Sequence, residues 1–441
     1  MTKGLIVLAL SYALSQFFRA FLPVLSPVLK ADLGATPENL ATASGVWFLV
    51  FAAMQIPVGA ALDRYGPRRT AAVLFGLGGA GGALAFALAQ TPAHITLAMA
   101  LIGVGCSPVL MAAYYIFARS YPARLFATLA TAMIGLGSLG NIAGAAPLAL
   151  AVATFGWRPS MAALALLSGV TALAIAMLVR DPERLAADTT GSVLDLLRIP
   201  ALWPIFAMMF VNYAPAAGIR GLWAGPYLEE IFAADTLTIG RVTLVMGLAM
   251  IAGNFAYGPL DRLLGTRKWV VIGGNAIALA ALAGLAAQPA AGELRATVLL
   301  AVLGFGASAY GPLDRLLGTR KWVVIGGNVI ALAALIALAA QPGAGQMRAT
   351  VLLAILGFGA SAYGLIIAHA RAFFPAHLTG RGVTLMNLFG IGGAGVMQYA
   401  TGPIYRAGTT PVQSFTLLFA CFAALLAAGL LAYLFASDRT D

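Results

Sequence analysis

Few residues of this chain carry charge: 9% are Asp, Glu, Lys or Arg, against roughly a quarter in a water-soluble globular protein. Acids are the scarcer sign, 15 against 26 cations, and none falls inside a long apolar run. So little charge excludes an ordinary soluble domain. Cysteine is nearly absent too; Cys106 and Cys421 both lie within apolar runs, so neither a disulfide nor a metal site is implied. There is no ATP-binding motif and no catalytic constellation, so neither an enzyme nor a cofactor is expected.

What fills the chain instead is apolar: 61% hydrophobic residues, with 51 glycines. Many runs reach or approach the ~18 to 20 residues that span a bilayer, so the expected class is an all-α polytopic membrane protein. In a soluble protein the net charge of +11 would point to nucleic acid. Here most cations lie in short loops, where they set orientation, and nucleic acid is not an expected partner. The first residues, MTKGLIVLALSYALSQFFRAFLP, show no small-residue cleavage pattern and read as a retained first helix.

Six spans are expected before residue 180, at about 5 to 28, 42 to 62, 71 to 90, 95 to 117, 127 to 153 and 160 to 179. Residues 181–202 form a polar join, expected to be a cytoplasmic linker between a bundle at 1–180 and a second at 203–441. Eight further runs in the second part bring the count to about fourteen. With both termini cytoplasmic, eighteen cations fall on the inside and six on the outside, as the positive-inside rule requires.

A short basic turn recurs along the chain. GAALDRYGPRR runs from Gly59 to Arg69, and GPLDRLLGTRK appears at Gly258 to Lys268 and again at Gly311 to Lys321. Each places a glycine, an Asp-Arg pair, a second glycine for the reversal, and then two cations. The last two copies belong to a tandem duplication: residues 258–310 and 311–363 are each 53 long and differ at seven positions. Each unit carries one turn and two spans, so the insertion adds a hairpin and preserves sidedness downstream. The two hairpins cannot share one packing position, and residues 269–313 are expected to be the displaced one.

With these turns, the chain resembles the major facilitator superfamily over essentially its whole length. The family's turn signature is matched by Gly59, Leu62, Asp63, Arg64, Gly66, Arg68 and Arg69, with Pro67 at one departing position. Its second-half counterpart is matched at Asp261 and Arg262 and again at Asp314 and Arg315. The resemblance implies twelve spans plus the duplicated hairpin, a two-bundle fold, and a conformational latch formed by these turns. Where the family often carries an arginine in its fourth helix, this chain has Met99. The run Gly135, Gly137, Gly140, Gly144 and Pro147 is similar only loosely to an exporter motif and reads as a close helix contact.

Arg19 and Arg220 are the chemically informative residues, one in the first span of each half, each followed by a proline. An arginine at membrane depth needs a wet cavity or a partner, and no acid in any span offers one. The missing partner is then the substrate, since a guanidinium fork matches a carboxylate or phosphate. A helix-end arginine that snorkels to the interface is the structural alternative. Paired arginines on the first and seventh helices resemble the organophosphate exchangers of the same superfamily. Supporting candidates are Gln16, Tyr114, Tyr115, Asn141, Asn212 and Tyr213, with Trp223 as an aromatic wall. Hydrogen bonding between helices is the alternative for these polar groups.

The expected function is transport of a small organic anion by alternating access, secondary active or facilitative, in a bacterial inner membrane. The expected partners are that anion, the lipid bilayer, and a proton or counter-substrate, with the protein a monomer. The alternatives are proton-coupled efflux of amphipathic or drug-like compounds, and an inactive membrane scaffold.

Overall fold

The computed structural model describes residues 2–182, 193–245, 320–359, 362–375 and 378–438. All regular structure among them is helical, in chain order α1 (Thr2–Phe17), α2 (Leu22–Leu33), α3 (Pro37–Ala53), α4 (Gln55–Tyr65), α5 (Pro67–Leu74) and α6 (Gly81–Ala87). Next come α7 (Pro92–Cys106), α8 (Val109–Ser120), α9 (Ala123–Ala143), α10 (Ala146–Phe155), α11 (Trp157–Leu178) and the short α12 (Val193–Leu197). After the polar join follow α13 (Trp203–Gly218), α14 (Ala224–Phe232) and α15 (Thr236–Val245). The last described helices are α16 (Lys321–Ala340), α17 (Gln346–Gly359), α18 (Tyr363–Arg371), α19 (Thr379–Arg406) and α20 (Pro411–Tyr433).

Six stretches among the described residues are long and apolar enough to cross a bilayer: Pro67–Ala87, Pro92–Ser120, Ala132–Phe155, Trp157–Leu178, Pro200–Phe232 and Pro411–Tyr433. The bent pairs α1–α2 and α3–α4 raise that number to eight. The protein is therefore all-α and polytopic. Of the fourteen spans expected, the first copy of the duplicated hairpin lies outside the described residues, and so does its proposed displacement. The hairpin of the second copy is described: α16 packs against α17 and α20, with Val324, Leu335 and Leu338 buried.

Local chemistry explains the ends of these helices. Thr36 and Asn39 form a reciprocal capping box before α3, and the hydroxyls of Thr91 and Thr410 cap α7 and α20. Gly34 ends α2 in the left-handed region, at φ 63°. Large apolar side chains point outward, Leu77 at 74% exposure and Leu166 at 71%, as a bilayer solvent allows and water does not.

Small residues set the helix spacing. A Cβ on Gly140 of α9 would run into the backbone carbonyl of Ala13 in α1, and one on Gly393 of α19 into that of Phe210 in α13. The expected close contact of the glycine run is thus made with α1.

Candidate functional site

Arg19 falls where the first span breaks. Pro23 has no N–H, so it cannot bond the carbonyl of Arg19, and α1 gives way to α2 at Phe18–Phe21 with a bend of 52°. A continuous helix over 5 to 28 is thereby corrected to two helices, with Arg19 at the joint. Arg220 lies in the matching irregularity, a π-helical turn over Ile219–Trp223 between α13 and α14. The two joints touch: a Cβ on Gly221 would sit 2.9 Å from the carbonyl oxygen of Arg19. Each guanidinium lies within electrostatic reach of the other, and like charges in an apolar interior favour an anion between them.

Neither cation has a carboxylate partner among the described residues. Arg19 lies over two rings instead, 4.7 Å from the centroid of Phe51 and 5.3 Å from that of Trp47. Arg220 lies within electrostatic reach of the Tyr213 hydroxyl. Three side-chain donors buried in and beside this region lack a partner among the described residues: Nε of Arg19, Nε1 of Trp47 and Nε2 of Gln398. Unsatisfied buried donors call for an acceptor, which an anionic ligand supplies.

Tyrosines from four helices surround the pair. Tyr12 of α1 and Tyr363 of α18 lie within electrostatic reach of Arg19 and of Tyr213, and Tyr114 of α8 within reach of Tyr12. Gln16 donates to the Tyr12 hydroxyl at 2.7 Å, Tyr363 donates to Oδ1 of Asn387 at 2.6 Å, and the rings of Tyr213 and Tyr363 meet edge to face at 5.3 Å. Of the expected site residues, Arg19, Arg220, Gln16, Tyr114 and Tyr213 are therefore brought together. Asn212 is buried on α13, next in sequence to Tyr213, and the buried Oδ1 of Asn141 has no partner.

Tyr12, Trp47, Phe51, Tyr363 and Asn387 escaped the sequence reading. Tyr12 carried a usable signal, standing four residues before Gln16 and seven before Arg19 on one helical face.

Two expected residues lie elsewhere. Tyr115 is stacked under Arg119, 4.2 Å from its guanidinium carbon, in company with Asp63 of the basic turn. Trp223 is fully buried against Tyr405 and Phe415, and its Nε1 donates to Thr401 at 3.0 Å. It is a packing residue in this conformation. A separate apolar crevice of about 320 Å³ between Trp203, Phe206, Phe389 and Leu425 contains none of the candidates.

The first basic turn is described in full. Gly66 adopts φ 84°, and a Cβ there would lie 2.7 Å from the carboxyl carbon of Asp181. That carboxylate accepts the amide of Arg68 at 2.7 Å at the start of α5, and the guanidinium of Arg68 lies 3.9 Å away. Asp63 pairs with Arg119 of α8 at 3.8 Å, Arg64 lies over Tyr65, and Arg69 follows Arg68 in α5. Gly59 has open space at its Cβ position. Asp261, Arg262, Asp314 and Arg315 lie outside the described residues. Just beyond them, the amides of Arg320 and Lys321 reach Oδ1 of Asp438, both at 3.2 Å.

Ion pairs also close the opposite end, marked by Gly34. Lys30 of α2 meets Glu229 of α14 at 3.1 Å, Glu38 of α3 meets Arg406 of α19 at 2.5 Å, and the Tyr405 hydroxyl bonds Glu230.

Comparison with known proteins bears on the family and the fold. The sequence profile of the Major Facilitator Superfamily matches residues 8–313. A curated relative, the 4-hydroxybenzoate transporter PcaK of Pseudomonas putida, is 29% identical over 145 residues, which is 32% of this chain and 32% of that protein. The chain thus matches about a third of that relative's length. Among solved structures, a D-xylose-proton symporter aligns over 99% of this chain and 97% of its own with a TM-score of 0.69 and 13% identity. A bacterial homologue of the human lysosomal transporter Spinster, inward-facing and occupied, aligns over 98% of this chain and 96% of its own with a TM-score of 0.63 and 17% identity. The nucleoside transporter NupG aligns over 99% and 100% with a TM-score of 0.63 and 14% identity. At these identities the structures establish a shared fold.

Proposed function

The chain belongs to the major facilitator superfamily, and on that premise we propose that it carries a small organic anion across the membrane by alternating access. The carrying observation is the meeting of Arg19 and Arg220 at two adjoining helix joints with no acid beside them among the described residues. A carboxylate would complete both guanidiniums and the buried donors around them, and the low dielectric of the site strengthens each contact. The partial relative named a 4-hydroxybenzoate transporter supports an organic carboxylate.

The proposed architecture is two bundles, 1–180 and 203–441, joined by a cytoplasmic linker at 181–202, with about fourteen spans including the duplicated hairpin. Both termini are placed in the cytoplasm and the protein in a bacterial inner membrane. No acid interrupts the spans to carry a proton at midplane, so exchange or facilitated passage is favoured over proton antiport.

Uptake of radiolabelled organic acids into proteoliposomes tests this reading. Wild type should accumulate at least one carboxylate when preloaded with it, and the Arg19→Gln, Arg220→Gln double variant should lose that exchange. Unchanged exchange in the double variant would refute it.

A further inference from the structure

The arginine pair accounts for one end of a ligand, and the side chains around it describe the rest. No other Lys or Arg lies in the interior of an apolar run, so the described residues give the site a single cationic pole. Arg19 is already engaged on one side by the faces of Trp47 and Phe51, and Arg220 lies within electrostatic reach of Tyr213. What remains suits the flat edge of one carboxylate. A dicarboxylate needs a second cationic pole, and a phosphate dianion needs donors converging on one point from several sides.

The remaining wall is aromatic and held in place. Tyr12, Tyr114, Tyr213 and Tyr363 come from α1, α8, α13 and α18. Two of the rings rest against glycines: a Cβ on Gly137 would run into the Tyr12 ring, and one on Gly390 would lie 2.6 Å from the Tyr363 ring. Larger residues at either place would push the rings aside. The hydroxyls are oriented as well. Tyr12 accepts from Gln16 and so keeps a hydrogen to donate, while Tyr363 spends its hydrogen on Asn387 and keeps lone pairs.

We propose that this site selects aromatic monocarboxylates, with the carboxylate between Arg19 and Arg220 and the ring packed among Tyr12, Tyr213 and Tyr363. The proposal rests on the anion reading above and adds the ligand body to it. Aromatic rings meet in edge-to-face or offset geometries, and Tyr213 and Tyr363 already show the first of these. A saturated ring of the same size gains burial but not that geometry.

Titration calorimetry on the purified full chain decides the matter with three probes: benzoate, cyclohexanecarboxylate and inorganic phosphate. Benzoate should bind about tenfold more tightly than cyclohexanecarboxylate, with phosphate weakest. Tyr363→Phe should keep most of that preference because the ring remains, whereas Tyr363→Leu should reduce it to about twofold. Equal binding of benzoate and cyclohexanecarboxylate by wild type, or tighter binding of phosphate, would overturn the aromatic proposal and leave an anion site standing. Binding of none of the three would remove the anion site as well. The wild-type comparison stands whether or not either variant folds.

Discussion

The two ends of the molecule are tied in different ways. At the Gly34 end, Lys30–Glu229 and Glu38–Arg406 join helices that precede residue 180 to helices that follow residue 203. At the Gly66 end, the described ion pairs stay on one side of that divide: Asp63 with Arg119, Arg68 with Asp181. Asp438 repeats the role of Asp181, each standing just after the last helix of its part and receiving the amides that open the helix after a basic turn. Among the described residues, one end is clasped by ion pairs across the molecule and the other shows bracing within each part.

This contrast can be broken from either end. The largest effect is expected at Gly66, where Gly66→Ala combines a left-handed backbone with a Cβ pressed on Asp181. It should cost about 2 kcal/mol, read as a lowered melting temperature. Asp181→Ala should follow at about 1 kcal/mol, the usual loss for a helix start deprived of its acceptor. Neither change should open the Gly34 end.

Lys30→Ala and Arg406→Ala should behave in the opposite way. These pairs are partly exposed, so each contributes at most about 1 kcal/mol, enough to shift a conformational equilibrium up to about fivefold with little change in melting. A cysteine at the buried Ser26, one turn from Lys30, reports the shift by faster labelling in a background without Cys106 and Cys421. Faster labelling in Asp181→Ala, or none in the clasp variants, would erase the distinction between the ends.

The smallest effect concerns pH at the start of α15. The Asp235 carboxyl is held below its ordinary value, first by the Thr238 side chain and then by the Thr238 amide. A depressed acid stabilises above its unfolded value, 3.8 here, and that contribution is lost as pH falls through the lower folded value. Hydrogen exchange at Thr238 should accelerate only in that acid window, and Asp235→Asn should abolish the dependence.

Much of this was legible in the sequence, because the bilayer punishes charge. Arg19 and Arg220 stand out in apolar runs for that reason, and Tyr213, Tyr114 and Gln16 followed as polar neighbours. Tyr12 and Tyr363 did not, since a tyrosine in an apolar helix looks like packing until four helices are brought together. Asp181 was hidden in the polar join, where an acid ordinarily does no more than meet water. Trp223, expected as an aromatic wall of the site, is instead buried against Tyr405 and Phe415 with its indole N–H satisfied by Thr401. The break at Arg19 was signalled by Pro23, yet apolar length alone joined α1 and α2 into one helix, whereas the expected span at 95 to 117 stands within the single stretch Pro92–Ser120 despite the turn at Ser107–Pro108.

A double-mutant cycle on benzoate binding, with Arg19→Gln and Arg220→Gln made singly and together, tests the shared anion site most directly. Each single change should weaken binding at least about tenfold, and the double should lose much less than the product of the two, because both guanidiniums serve one carboxylate. Wild-type affinity in the double variant, or losses that simply multiply, would contradict a site built from both arginines.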